Sequence, residues 1–118
     1  MEVEAAHNHK GIVFVYEAVG TGMLLYAINL QNGEIFGQFG IAFMLFAWLL
    51  IGGPVTGAHY NPAVSVGILV SNAAMAKEGV MFAVMVAGQF IGAILGVMLA
   101  WASLVNNSGN NPSEGGVP

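Results

Sequence analysis

Gly57-Ala58-His59-Tyr60-Asn61-Pro62-Ala63-Val64-Ser65-Val66-Gly67 lies between two long apolar segments and carries a helix-start signal. Asn61 is a favoured N-cap, because its side-chain oxygen can accept an orphan backbone N–H of the first turn. Pro62 suits the first helical position, where its missing N–H costs nothing. The apolar run that follows, residues 62–70, covers roughly 13 Å, near half the hydrocarbon core of a bilayer. It is too short to cross. Irregular backbone at membrane depth survives only beside protein or a water-filled cavity, since each unpaired group in hydrocarbon costs several kcal/mol. Residues 62–70 therefore read as a re-entrant half-helix, its N-terminal amides and positive dipole end turned to a passing solute. The plainer reading, a well-capped helix start with no further role, would win in a soluble protein.

The chain around it is apolar throughout. Of 118 residues, 57% are hydrophobic and only 7% charged, against about 25% charged in a soluble domain. This is the composition of a membrane protein. Lys10 and Lys77 are the two cations, and the net charge is -4. So acidic a balance excludes an ordinary nucleic-acid footprint and a polybasic lipid clamp. Without cysteine there is no disulfide framework, thiol nucleophile or thiolate metal site. Residues 1–10 are polar and lack a cleavage pattern, so the first apolar segment reads as its own insertion signal.

Three spans are expected, over about residues 11–30, 37–53 and 79–105; each is close to the length that a core of about 30 Å needs. Gln31-Asn32-Gly33-Glu34 reads as a polar turn, and Gly52-Gly53-Pro54 as the end of the second helix. Residues 106–118 read as a solvated tail or a truncated outer loop. The fold class is all-α: three transmembrane helices and one half-helix. Both lysines fall on one side of such a chain, which the positive-inside rule makes cytoplasmic, together with the N-terminus. The opposite side holds Asn106-Asn107-Ser108, a glycosylation triplet of a kind common by chance.

Several side chains invite a functional reading. With its oxygen engaged in capping, Asn61 keeps an NH2 to donate to a solute. Gly57, Ala58 and His59 read as an extended run that could line a passage with carbonyls, or as a tight loop. His59 lines the pore or braces the loop; as a lone histidine it makes a metal site improbable. Glu17 lies inside the first span, where a carboxylate is expensive and must be paired. A proton relay is one role for it; accepting hydrogen bonds from the loop near His59 is the preferred one. Gln89 in the third span reads as interhelical glue before solute contact. Gly88, Gly92 and Gly96 recur every four residues, a packing pattern of close-set membrane helices. Gly20 and Gly22 suggest the same for the first span. Trp101 fits an interfacial anchor.

At these residues the chain resembles the aquaporin and aquaglyceroporin family of major intrinsic proteins. Residues 57–64 are similar to the family's first Asn-Pro-Ala loop. Glu17 with Gly20-Thr21 and Gln89 with Gly92-Ala93 look like its first- and third-helix patterns. The resemblance implies half of a right-handed bundle, with Asn61-Pro62-Ala63 at the pore. It implies that Asn61 donates to the solute, that Gly57, Ala58 and His59 offer it carbonyls, and that Glu17 braces the loop. Ile41 aligns with the family's second-helix filter position, which is often aromatic. The chain holds neither a second Asn-Pro-Ala nor any arginine for the filter.

The leading functional expectation is half of a channel for water or small neutral solutes, needing no cofactor, with a barrier to cations and protons. Its partners would be membrane lipid, the solute and a second half-channel, from another chain or from the remainder of a longer one, in a homo- or hetero-oligomer such as the tetramers of the family. The alternative is a non-conducting structural subunit derived from a half-channel. An enzyme is disfavoured: there is no nucleophile–base pair, no paired acids and no phosphate loop.

Overall fold

A computed structural model describes residues 9–31, 33–72 and 75–108. Four helices make up the described chain: α1 (Lys10–Leu30), α2 (Ile35–Thr56), α3 (Pro62–Ser71) and α4 (Met75–Ser108). Three of them are long and apolar enough to cross a membrane: Lys10–Leu30, Ile35–Thr56 and Glu78–Val105 within α4. The short α3 is apolar as well. The protein is an all-α membrane protein. Residues 1–8 and the end of the expected tail, 109–118, lie outside the described residues, as do the side chains of Lys77 and of the Asn106 triplet.

α1 packs chiefly on α4, with α2 against α1 and α3 against α4. Glycine sets the first of these contacts. A Cβ added to Gly88 would stand 2.7 Å from the Phe14 carbonyl oxygen. One on Gly92 would strike the Ala18 carbonyl, and one on Gly96 the Gly22 carbonyl. Both partners advance by four residues at each step, so α1 and α4 run parallel with their backbones in near contact. Membrane helices lack a hydrophobic drive toward one another, and dispersion at this range supplies the attraction instead.

Two boundaries differ from expectation. The second helix does not end at Gly53: it runs through Pro54 to Thr56. Proline removes one donor, which a membrane helix tolerates near its end. The terminator is Gly57, at φ 82 and ψ -3, whose N–H returns to the Gly53 carbonyl. Such a left-handed turn after the last helical residue suits glycine, which has no Cβ to clash. The third span, in turn, belongs to a helix begun at Met75 and continued to Ser108. Lys77-Glu78 is therefore helical, not a linker, and the expected tail begins as helix.

Candidate functional site

Between α2 and α3 the chain turns in five residues. Gly57, Ala58 and Tyr60 all have positive φ (82, 53 and 48), so the run is coiled back on itself and not extended as the sequence suggests. Left-handed backbone costs a residue with a Cβ roughly 1–2 kcal/mol, so Ala58 and Tyr60 must be held there. Their holding group is Glu17, fully buried on α1. Its Oε1 accepts hydrogen bonds from the His59 N–H at 3.2 Å and the Thr56 hydroxyl at 2.7 Å. Its Oε2 accepts from the Tyr60 N–H at 2.8 Å and from Gln89 Nε2 at 2.7 Å. Thr56 in turn accepts the Ala58 N–H at 3.0 Å. Four donors on two oxygens satisfy a carboxylate that would otherwise be an intolerable buried charge.

Gln89, also buried, reaches from α4 to α3 by donating to Ser65 Oγ at 2.9 Å. Ser65 is 3.0 Å from His59 Nδ1 and 3.3 Å from the Asn61 carbonyl, to which its hydroxyl can donate. The Ser65 hydroxyl thus sits between Gln89 Nε2, His59 Nδ1 and the Asn61 carbonyl. A cleft of about 30 Å³ between α3 and α4 opens beside His59 and Ser65, with Glu78 on its rim. Two buried polar atoms, Thr21 Oγ1 and Gln89 Oε1, have no hydrogen-bond partner among the described residues.

Tyr60 locks the turn from the other side. Its ring lies against Gly20 of α1 and Gly52 of α2, where a Cβ at either glycine would overlap it. Its hydroxyl donates to the Trp48 carbonyl at 2.8 Å, and the two rings meet edge to face at 6.4 Å and 85°. Gly20 therefore receives a side chain, not a neighbouring helix.

From this clamp α3 projects. Asn61 is its N-cap, and Oδ1 accepts the Ala63 N–H at 2.8 Å. Pro62 occupies the first position and the Ser65 N–H returns to the Asn61 carbonyl at 3.0 Å. Among the described residues nothing accepts from Asn61 Nδ2 or the Val64 N–H, and nothing donates to the carbonyls of Gly57, Ala58 or His59. Asn61 and Gly57 are exposed, His59 is half-buried, and the Ala58 side chain is buried. Ile41 is half-buried on α2 and takes no part in the cluster.

The structure thus brings Glu17, Gln89 and the 57–63 segment into one network and leaves Ile41 apart. Tyr60, Thr56 and Ser65 belong to that network, and sequence reasoning passed over all three. Ser65 had a faint signal as the polar residue one turn after the cap. No cluster of His, Cys, Asp or Glu among the described residues could hold a metal.

Comparison with known proteins accords with this architecture. The family model described as Major intrinsic protein matches residues 6–115. Aquaporin-5 of Rattus norvegicus is 32% identical over 100 residues, 84% of this chain and 36% of the relative. Aquaporin-5 of Mus musculus is 31% identical over 84% of the chain and 36% of its own length. For Aquaporin-5 of Ovis aries the values are 29%, 85% and 36%. The chain thus spans little over a third of the length of these curated relatives. No solved structure matches it. Given three apolar spans, a capped short helix seated on a buried carboxylate, and a family match along nearly its whole length, the chain belongs to the major intrinsic protein family.

Proposed function

We propose that the chain forms one half of a transmembrane channel for water or small neutral solutes. One observation carries the reading: Asn61 spends its oxygen on the Ala63 N–H and keeps its NH2 unengaged. Beside it the Val64 N–H is a second donor, and α3, with 10 residues, adds a positive dipole end of about half a charge. Donors on one side and the carbonyls of Gly57, Ala58 and His59 on the other would replace the hydrogen bonds a solute gives up on leaving water. The same field opposes cations and protons. Glu17, Gln89 and Tyr60 then act as positioning residues, fixing the turn so that the donors stay aimed. Lys10 and Lys77 favour a cytoplasmic N-terminus, and α3 would dip into the membrane from that side. Ile41 would set the width on the α2 wall. A second half, from another chain or from the same polypeptide, would close the pore.

The test is osmotic water flux in vesicles containing the chain with whatever helices complete it. Asn61→Asp retains the capping oxygen and removes the NH2. Flux falling about tenfold or more, the scale of one lost hydrogen bond, with the fold retained, supports the channel. Flux unchanged by Asn61→Asp and by Asn61→Ala overturns it. Absence of flux, with partner side chains filling the groove before α3, would establish the structural subunit instead.

A further inference from the structure

We infer that the cleft between α3 and α4 is a site for a soft monovalent cation, Cu(I) or its redox-inert counterpart Ag(I), held by the thioethers of Met81 and Met85 and the imidazole of His59. The inference does not rest on the channel reading. The cleft holds about 30 Å³, which is room for one water-sized body and so for a single ion, but not for an organic ligand. Met81 and Met85 both line it from α4, and His59 lines it from the turn before α3. The two methionines stand one helical turn apart, the spacing that sets side chains next to each other on one face. Their unbranched, rotatable stems let both sulfurs turn toward one point. Met85 is only 6% exposed, so its thioether faces the protein and not lipid.

The donor set selects the ion. Thioether sulfur is a soft donor that favours Cu(I), and imidazole serves the same metals. Harder divalent ions find little here. His59 and Glu78 are the only groups on the cleft of the kind they need, and no cluster of three His, Cys, Asp or Glu exists among the described residues. His59 Nδ1 lies 3.0 Å from Ser65 Oγ, and no described group hydrogen-bonds its Nε2. Gly57 leaves that nitrogen uncovered, since a Cβ there would stand 3.3 Å from it. When Nδ1 donates to Ser65, Nε2 presents its lone pair, and the hydroxyl orients the ring as the outer partner of a metal-bound histidine does. The local field also suits a cation. Ile68 and Leu69, on the same wall, belong to the last turn of α3, where the carbonyl end carries the negative pole of the helix dipole. Glu78 adds a formal negative charge at the rim. An ion so held would pin α3 to α4 beside the bond from Gln89 to Ser65.

Silver nitrate titrated into the full chain, in detergent free of chloride and thiols, tests this; without cysteine no thiolate competes. His9 lines the neighbouring crevice with the same two methionines, and His7 is close to it in sequence, so the titration uses the His7→Ala/His9→Ala chain. The ε-methyl NMR signals of Met81 and Met85 should move together as the first equivalent is added, while those of Met23, Met44 and Met98 stay. His59 Nε2 should shift in nitrogen NMR far more than Nδ1. Met81→Leu and Met85→Leu conserve volume, and each should weaken Ag(I) binding by about tenfold or more at unchanged helix content. Zn(II) should bind about tenfold more weakly than Ag(I), or weaker still. Equal movement of all five methyl signals would mean indiscriminate thioether binding, and would overturn the inference. So would silver binding that leaves Met81 and Met85 unmoved, or affinity within about threefold of the parent in the Met81→Leu/Met85→Leu chain. Should that double variant fold poorly, the methyl shifts of the unsubstituted methionines decide alone.

Discussion

Replacing Glu17 by glutamine should loosen the turn between α2 and α3 by about two orders of magnitude without unfolding the protein. Glutamine keeps the shape of the side chain and exchanges one acceptor oxygen for an NH2. The least costly placement leaves oxygen at the Oε2 position, still accepting from Tyr60 N–H and Gln89 Nε2. The NH2 then faces Thr56 Oγ1 and the His59 N–H. Thr56 can rotate and donate to the Gly52 carbonyl, already 3.5 Å away. The His59 amide cannot rotate and is orphaned, at about 1–3 kcal/mol. The two surviving bonds lose their charge assistance, about 1 kcal/mol each. A total of about 3–5 kcal/mol therefore acts on the turn. Removing the charge also removes its desolvation cost, which offsets part of this sum and makes global melting a poor readout. Hydrogen exchange in micelles reads the turn itself. About 3 kcal/mol of net weakening corresponds to about 10²-fold faster exchange at the His59 and Tyr60 amides, with mid-α1 amides unchanged. Exchange at those two amides within about threefold of the parent would refute the reasoning.

Other substitutions probe the supports around that turn. Gly92→Ala drives a methyl group into the Ala18 carbonyl and should cost about 1–3 kcal/mol through overpacking. Gly79→Ala on the same helix meets nothing within 4 Å and should gain about 0.5–1 kcal/mol; thermal melts of the pair in one detergent give the comparison. Tyr60→Phe forfeits the bond to the Trp48 carbonyl and should lower stability by about 1 kcal/mol, read as a shift in the Trp fluorescence melt. Asn61→Ala removes the cap on α3 and should cost about 1 kcal/mol, seen as faster exchange at the Ala63 amide with α1 and α4 unaffected.

Much of the helical layout is legible in the sequence because membrane spans are governed by composition, and composition is local. Asn61-Pro62 marks the start of α3 for the same reason: a cap and its N1 proline are adjacent in the chain. Pro54 misleads because a proline stops a helix only where its freed carbonyl and steric load matter, and here the left-handed Gly57 sets the end at Thr56, two residues after Pro54. The turn misleads more deeply. Its positive φ angles at Ala58 and Tyr60 run against intrinsic preference and persist through Glu17, some forty residues earlier. Glu17 itself is conspicuous as a charge in an apolar helix. Its partners are not: Thr56 and Ser65 are unremarkable in sequence, and the slot for Tyr60 is made of two glycines from separate helices. Such a slot is defined by what is absent from Gly20 and Gly52, which no local pattern reveals.

The cluster around Glu17 also dictates an order of synthesis. α1 emerges first and carries its acid into the membrane alone. Two backbone donors arrive with residues 59 and 60, but Gln89, which bridges Glu17 to Ser65, is made 72 residues after the acid it serves. Until α4 has left the ribosome, then, the nascent chain must keep α1 near water, lipid headgroups or the insertion machinery. α3 can be tied to Glu17 only after α4 has entered, so the cluster closes from its α4 side.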